Sequence, residues 1–198
     1  HYVDRHAFEA ERKRVFWRTW QLVGNTQQLI KPGSYIATDI AGAGVIVVRD
    51  TKHTLRGFRN LCRHRGARLF ERGEGQVRSI HCPYHQWVYG LDGALRRAPH
   101  FGDDDAIDLD EWPLLPVSVC DWRGLVFAAL APQQSLAEQL GATVAEMAEE
   151  PMETSCLVET RRLRFAANWK IYTDNFVEGY HIPGIHPAFF KAIEFSQF

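Results

Sequence analysis

Two short Cys-His pairs constrain this 198-residue chain more than any other feature of its sequence. The first pair is Cys62-Arg63-His64 and the second is Cys82-Pro83-Tyr84-His85, with 17 residues between them. Each pair places a thiolate and an imidazole close together on one loop. Two such loops can present two sulfur and two nitrogen ligands to one inorganic centre. The fold is therefore expected to bring the two loops together.

The donor set of two Cys and two His is compatible with two different centres. Zinc binds all four ligands in a single tetrahedron, whereas a [2Fe–2S] cluster takes two Cys on one iron and two His on the other. Zinc fingers usually place Cys with Cys and His with His, and their second half is helical. Here each loop is mixed and its surroundings have the pattern of strands. The spacing favours the iron–sulfur arrangement, with a zinc-stabilised binding module as the alternative.

Short apolar runs alternate with turn residues from Leu22 to Leu130, which predicts a set of short antiparallel strands. The Asp92-Gly93 pair predicts a hairpin turn between two of them. The predicted strands are residues 34–40, 44–48, 55–60, 76–81, 87–89, 114–119 and 125–130. Both Cys-His pairs therefore belong to an all-β region.

The rest of the chain is mostly helical in its periodicity. The predicted helices are residues 4–20, 135–149 and 168–181, and residues 156–165 alternate as a strand does. In the first helix Asp4 is placed to cap the N-terminus. Its apolar face, formed by Phe8, Val15 and Phe16, is expected to face a core.

A second group of potential ligands lies at the end of the last predicted helix. Asp174, Glu178 and His181 are spaced i, i+4 and i+7, which would put them on one helical face. Pro183 is expected to end the helix, so that the chain turns and His186 approaches His181. Two His and one carboxylate form the facial triad of mononuclear iron, which leaves positions open for oxygen. The alternative is one capping His and one surface His.

The charge balance and the cysteine content exclude several classes of protein. Twenty-four acidic residues face 23 basic ones, a net charge of −1, which argues against a nucleic-acid partner. No apolar run approaches the roughly 18 residues of a membrane span. Four cysteines are too few for a disulfide scaffold and predict a cytoplasmic location.

At this point the sequence resembles the oxygenase (α) subunits of Rieske non-heme iron oxygenases. The motifs follow the order of that family from residue 62 to residue 187. They are Cys62-Arg63-His64-Arg65-Gly66, Cys82-Pro83-Tyr84-His85-Gln86-Trp87, Asn168-Trp169-Lys170, Asp174-Asn175-Phe176-Val177-Glu178-Gly179-Tyr180-His181 and His186-Pro187. The resemblance implies an α+β protein: an all-β Rieske [2Fe–2S] domain and the beginning of an α+β helix-grip catalytic domain.

The resemblance also implies domain bounds and ligands. An N-terminal helix within residues 1–21 would pack on the catalytic domain, residues 22–132 would form the Rieske domain, and residues 133–198 would begin the catalytic domain. The implied cluster ligands are Cys62, His64, Cys82 and His85, and the implied ligands of the mononuclear iron are His181 and His186. The third iron ligand, an Asp in the family, is expected beyond Phe198, so the sequence predicts an incomplete catalytic domain.

Two further residues take roles from the resemblance. Glu178 matches an acidic residue that would link His181 to His85 of a neighbouring subunit, and Asn175 matches a residue near the iron, as a second-shell group or weak ligand. The family commonly has Asp where Glu178 stands, and Glu is associated with members that act on quaternary ammonium compounds. It also usually has a small residue, often Gly, where Gln86 stands.

The activity implied is that of a terminal oxygenase. A reductase, with or without a ferredoxin, would deliver NAD(P)H-derived electrons to the cluster, and the iron would use O₂ to oxidise an aromatic or quaternary ammonium compound. The implied reaction is dihydroxylation, monohydroxylation or demethylation, and the implied assembly is a homotrimer or α3β3. The main alternative is a Rieske ferredoxin-like electron-transfer protein. Residues 22–132 would suffice for that role, which leaves His181 and His186 unexplained.

Overall fold

The computed structural model describes residues 2–101 and 107–195, and the chain divides into two compact units. One unit is Ala10–Glu159. The other combines the N-terminal residues up to Glu9 with the segment that begins at Thr160. The first unit contains all the strands of the described residues, and the described regular structure after Thr160 is helical. The predicted α+β class is confirmed.

A seven-stranded antiparallel sheet forms the frame of the first unit, in the order β1-β10-β9-β4-β3-β2-β5. The strands are β1 (Gln21–Asn25), β2 (Ser34–Ile40), β3 (Ala43–Arg49), β4 (Leu55–Arg59), β5 (Gly73–Gln76), β9 (Pro116–Trp122) and β10 (Leu125–Ala129). β2 has the predicted bounds, and β1 was not predicted.

A second, three-stranded antiparallel sheet consists of β6 (Ile80–His81), β7 (Val88–Tyr89) and β8 (Leu95–Arg97). The predicted hairpin turn joins β7 to β8. The Gly93 N–H donates to the Gly90 carbonyl at 3.0 Å, and Gly93 has φ 86°. A Cβ at Gly93 would lie 2.4 Å from the Phe58 ring, so this turn requires glycine for its conformation and for space.

The central strand β3 of the large sheet is buried on both faces. On β3, Ile46 and Val48 belong to one core cluster, while Val45 and Val47 belong to the other. The first cluster also contains Cys62 and Cys82, so both cysteines lie in the apolar core beneath the small sheet. β3 consequently reads as a continuous apolar run because neither of its faces meets water.

The N-terminal helix differs from its prediction. It comprises α1 (Arg5–Glu11) and one π-helical turn (Arg12–Phe16). Asp4 caps α1 as predicted, because its Oδ1 accepts the His6 N–H at 2.8 Å. The core-facing prediction is wrong for Phe8 and Val15, which are 39% and 38% exposed. The prediction is confirmed for Phe16, which packs against the second core cluster.

The segment after the sheet was predicted as one helix and one strand, and both predictions are wrong. Two short helices, α2 (Leu136–Leu140) and α3 (Thr143–Glu146), are separated at Gly141, which has φ 55°. Residues 156–165 form no strand. The side chain of Gln27 forms the hydrogen bonds that a neighbouring strand would form at the start of this segment. It donates to the Ser155 carbonyl at 2.8 Å and accepts from the Leu157 N–H at 2.9 Å.

Arg123 holds the same segment from another direction. Its guanidinium pairs with the Glu153 carboxylate and donates to the carbonyls of Met147 and Glu150. Glu153 in turn has its pKa lowered to about 2 by the hydrogen bond from Arg123. Gln27 and Arg123, which lie in segments that flank strands of the sheet, thus fix this connector up to Leu157.

The second unit contains three described helices after Thr160: α4 (Trp169–Val177), α5 (Ile182–Ile185) and α6 (Pro187–Phe190). Asn168 caps α4 by accepting the Lys170 N–H at 3.0 Å. α4 ends earlier than predicted because Glu178 is extended, with φ −107° and ψ 138°. The prediction that Asp174, Glu178 and His181 share one helical face is therefore wrong. Among the residues described, none lies in a helix long and apolar enough to cross a membrane.

Candidate metal centres

Two loops of the first unit share one backbone design. Loop 1 is Cys62–Ala67, between β4 and β5, and loop 2 is Cys82–Trp87, between β6 and β7. In each loop the cysteine N–H donates to the carbonyl five residues later, at 2.7 Å in loop 1 and 2.8 Å in loop 2. The cysteine carbonyl accepts the N–H four residues later, at 2.9 and 3.1 Å. Backbone bonds alone therefore close both loops, whatever side chains they carry.

The fourth residue after each cysteine has a left-handed backbone. Gly66 has φ 68° in loop 1, and Gln86 has φ 60° in loop 2. Glycine adopts this conformation freely, whereas a residue with a Cβ pays about 1 kcal/mol. The geometry explains why a glycine suits the position of Gln86, and shows that glutamine is accepted there at a modest cost.

The two cysteines are enclosed by the core and meet each other. Cys62 and Cys82 are each 1% exposed. Burial raises the pKa of the Cys62 thiol, and the neighbouring Cys82 raises it further. A buried thiol becomes a thiolate when it binds a metal, because the metal supplies the compensating charge.

Tyr89 contacts the sulfur of loop 1 from the small sheet. Its hydroxyl lies 3.2 Å from Cys62 Sγ and accepts the Arg63 N–H at 3.1 Å. Because a metal-bound thiolate has no proton, Tyr89 would be the donor to sulfur in the loaded protein. The ring is fully buried.

The two histidines meet on the outer side of the loops. The ring centroids of His64 and His85 are 4.6 Å apart. The His64 ring stacks on Trp87 at 5.0 Å and 8°, with the edge of Phe101 at 5.4 Å. Burial lowers the pKa of His64, aided by the charges of His85 and Arg65, and so favours the neutral ring that ligates metals.

His64 carries the clearest sign that the two loops suit a metal. Its Nδ1 is buried without a hydrogen-bond partner within the described part of the chain. A buried polar atom left unpaired costs about 1–3 kcal/mol. A metal bound at that nitrogen would remove the cost.

The four donors fit a [2Fe–2S] cluster, because the two cysteines are neighbours and the two histidine rings are neighbours. Such a cluster takes two Cys on one iron and two His on the other. Residues 2–101 and 107–195 contain no group of three or more His, Cys, Asp or Glu placed around a single metal ion. A binuclear cluster needs no such group, because each iron takes two protein ligands. The assignment of the four ligands stays a prediction.

Buried polar side chains hold the segment that follows loop 1. Asn60 is 4% exposed, and its Oδ1 accepts the N–H groups of Leu69 and Phe70 at 3.1 and 2.9 Å. Its Nδ2 donates to the Phe70 carbonyl at 2.8 Å. Sequence reasoning missed both Asn60 and Tyr89. The only available signal for Asn60 was a polar residue at the end of an apolar strand, two positions before a ligand-type cysteine.

Two arginines after loop 1 share the carboxylate of Asp39. Arg68 lies 2.6 Å from Oδ1, and Arg72 Nε lies 3.0 Å from Oδ2. Burial would raise the pKa of Asp39, but the bonds from Arg72 and Arg68 outweigh it and the pKa is lowered. Arg68 is thus paired with Asp39, while Arg65 is exposed on loop 1.

The second candidate centre lies on α5. His181 is the residue before this helix and His186 the residue after it, and their ring centroids are 5.4 Å apart. Pro183 stands in the first turn of α5, where a missing N–H costs nothing, so it helps to begin this helix instead of ending α4. The predicted approach of His186 to His181 is therefore found, and one short helical turn between the two residues produces it.

Glu178 contacts His181 twice. One carboxylate oxygen pairs with the His181 Nδ1, and the other accepts its backbone N–H at 3.3 Å. The hydrogen bond from His181 lowers the pKa of Glu178. A carboxylate on Nδ1 orients the ring and leaves Nε2 for a metal.

The other two polar residues of the predicted site stand apart. Asp174 accepts the Tyr2 hydroxyl at 2.6 Å, and Asn175 is exposed on α4. The structure therefore brings together His181, His186 and Glu178.

Comparison with known proteins finds a domain family for each part of the chain that holds a candidate centre. Residues 19–113 match the Rieske [2Fe-2S] domain family, and residues 152–198 match the catalytic domain of the ring hydroxylating alpha subunit family. The chain is 34% identical to the carnitine monooxygenase oxygenase subunit of Escherichia coli (strain K12), over all of this chain and 54% of that protein. It is 34% identical to the glycine betaine monooxygenase oxygenase subunit of Pseudomonas aeruginosa (strain UCBPP-PA14), over 97% of this chain and 45% of that protein.

Solved structures agree with the sequence matches. The quaternary ammonium Rieske monooxygenase CntA in complex with L-carnitine aligns with a TM-score of 0.87 at 28% identity. The alignment covers 96% of this chain and 55% of that one. The chain spans about half the length of the curated relatives it matches. The chain thus contains a Rieske [2Fe-2S] domain followed by sequence that matches the catalytic domain of ring hydroxylating alpha subunits.

Proposed function

We propose that this chain forms part of a terminal oxygenase that oxidises a small organic substrate with O₂ and NAD(P)H-derived electrons. One observation carries the proposal: two separate sets of ligand-type side chains, one fitted to a [2Fe–2S] cluster and one to a single iron. When bound, the mononuclear iron would supply the activation of O₂. The residues of the chain would hold, orient and shield the two centres.

The proposed ligands follow the prediction. Cys62, His64, Cys82 and His85 would hold the cluster, which the buried sulfurs and the unpaired nitrogen of His64 support. His181 and His186 would hold the mononuclear iron, with a third, carboxylate ligand from outside these residues. We propose the same domains: an N-terminal helix in residues 1–21, the Rieske domain in 22–132 and catalytic sequence in 133–198. The grouping of the N-terminal residues with the segment after Thr160 supports the first.

Glu178 would position His181 and also contact His85 of a neighbouring subunit. Its carboxylate already bonds Nδ1 and the backbone N–H of His181. One oxygen can accept more than one donor, so a second histidine could share it. Asn175 would act as a more distant group near the iron.

The proposed partners are a reductase, with or without a ferredoxin, and further copies of the chain in a homotrimer or α3β3 assembly. The exposed Arg65 beside the cluster loops would favour an acidic electron donor. We propose a cytoplasmic location, which the low cysteine content supports.

The proposed substrate is a quaternary ammonium compound, in preference to an aromatic one. The relatives compared above are named for carnitine and glycine betaine. Glu178, where Asp is common in the family, supports the same choice. The expected reaction is monooxygenation.

A Rieske ferredoxin-like electron carrier is the second candidate. It would need only the first unit, and it would give no role to the paired rings of His181 and His186. The match of residues 152–198 to the catalytic domain family favours the oxygenase.

The first experiment is to measure iron and acid-labile sulfide per chain in the full protein, together with EPR of the reduced state. About three irons and two sulfides with a Rieske signal would support the oxygenase. Substrate-dependent O₂ uptake would then be tested with carnitine, glycine betaine, choline and naphthalene. About two irons and two sulfides would favour the electron carrier, and zinc without sulfide would overturn the proposal.

A further inference from the structure

The two histidines of the cluster loops are held by aromatic rings in different ways. His64 is enclosed: it stacks on Trp87, which is 1% exposed, and meets the edge of Phe101. His85 has a different partner. The ring of Tyr84, its neighbour in the chain, lies 3.8 Å from it at 31°.

Tyr84 keeps this position although 59% of it is exposed. An exposed tyrosine gains little from burial, so the position of Tyr84 reflects its close contact with the imidazole. The Tyr84 ring lies against the His85 ring at a tilt of 31°, and the His64 ring lies 4.6 Å from the same imidazole at 56°. Within one chain, the orientation of His85 therefore depends on one solvent-facing side chain, whereas that of His64 depends on the buried Trp87.

We infer that Tyr84 is the positioning residue for His85 and sets how much water reaches that side of the centre. The inference rests on the proposed ligand role of His85. The close contact of the two rings restricts rotation of the imidazole about its bond to Cβ and excludes water from the part of the ring that Tyr84 touches. Both effects act on the reduction potential, because ligand orientation and solvent access tune a metal centre.

The direction of the effect follows from charge. Reduction adds one negative charge to the cluster, and water stabilises that charge. Removing the ring of Tyr84 should therefore raise the midpoint potential and broaden the distribution of His85 orientations. The hydroxyl plays no part in the stacking, so phenylalanine should preserve both properties.

The test compares Tyr84→Ala, Tyr84→Phe and Phe101→Ala in the cluster-loaded full protein. Iron and sulfide content, the midpoint potential and the ¹⁵N couplings of the two histidine ligands by pulsed EPR are measured. We expect Tyr84→Ala to raise the potential and to change the coupling of one histidine. Tyr84→Phe should match the wild type, and Phe101→Ala should change the potential less, because His64 keeps its stacking on Trp87.

Three results would overturn the inference. Tyr84→Ala could match the wild type in potential and couplings. Tyr84→Phe could shift both as far as Tyr84→Ala does, which would assign the effect to the hydroxyl. Loss of the cluster from both Tyr84 variants would also contradict a role specific to the ring. A protein that never binds a [2Fe–2S] cluster would instead refute the proposed function, so the two failures are distinguishable.

Discussion

The two candidate centres of this chain are built over different distances in sequence. The cluster loops and the segment that follows loop 1 contact residues from Asp39 to Phe101: Asp39 pairs with Arg68, and Phe101 meets the rings of His64 in loop 1 and Trp87 in loop 2. The iron-site residues fall within 178–186, where one short helix brings the two rings together. The cysteines are 1% exposed, whereas the side chain of His181 is 22% exposed.

This difference has a physical meaning. Long-range contacts form only when the whole sheet folds, so the geometry of the cluster loops is tied to the cooperative stability of the first unit. A local motif can adopt its conformation without that support and is held less firmly. The first centre should therefore respond to changes in the sheet, and the second to changes in its own few residues.

The largest expected effect is the complete loss of one centre while the other stays intact. Cys82→Ala should abolish the visible absorption and labile sulfide of the cluster, because one iron loses half of its protein ligands. His186→Ala should leave about two irons and two sulfides per chain and remove only the mononuclear iron. Metal and sulfide analysis of both variants decides. Sulfide loss from the His186 variant would show that the centres are not independent.

A second prediction concerns support from the sheet. Asn60→Ala removes three hydrogen bonds to the backbone that follows loop 1 and leaves buried groups unpaired. The expected loss is about 3 kcal/mol in the free energy of unfolding, with faster loss of the cluster. Urea denaturation monitored by cluster absorbance measures both.

The matched control for this change is Asn25→Ala. Asn25 caps a 3₁₀ turn and accepts the Gln27 N–H at 2.9 Å. The Asn25→Ala change should lower the free energy of unfolding by about 1 kcal/mol without a specific effect on the cluster. Equal cluster loss in the two variants would refute a special role for Asn60.

A third prediction tests the local motif. Glu178→Gln keeps the size of the side chain but removes the charge that orients His181. The affinity for the mononuclear iron should fall about 10- to 100-fold, as expected for loss of a carboxylate behind a histidine ligand. Iron titration of the cluster-loaded protein provides the measurement. Asp174→Asn, a change of the same kind on α4, should bind iron normally, and equal weakening there would point to general disruption of the segment.

The smallest expected effect concerns the sulfur of loop 1. Tyr89→Phe removes a hydroxyl 3.2 Å from Cys62 Sγ and keeps the buried ring. Donation to sulfur stabilises the electron-rich reduced cluster, so the midpoint potential should fall. A hydrogen bond of about 1 kcal/mol corresponds to roughly 40 mV for one electron. A potential that rises in protein-film voltammetry would mean that the hydroxyl does not donate.

Much of the candidate site can be predicted from the sequence, because the ligand-type residues lie in short local motifs. The spacing in the two Cys-His pairs and between His181 and His186 is visible without a structure, and so is the alternation that predicts β2. By contrast, Tyr89 and Asn60 have no local signature, since their roles depend on chain segments that meet only in the fold.

The wrong predictions share a cause as well. Residues 156–165 alternate like a strand, but Gln27 binds the backbone at Ser155 and Leu157 in place of a partner strand. The helix of residues 168–181 ends at Val177, although its periodicity continues, because Glu178 turns extended to reach His181. Periodicity reports the apolar pattern and cannot report such tertiary competition.

The shared backbone closure of loops 1 and 2 has a consequence for how such centres can change over evolutionary time. Each loop is closed by the same two main-chain bonds, yet the histidine stands two residues after the cysteine in loop 1 and three after it in loop 2. Loop shape is thus independent of which interior position carries the donor. One substitution can replace a ligand, and two can move it to another position, without requiring a new loop, so the chemistry of the centre can diversify while the surrounding fold is inherited unchanged.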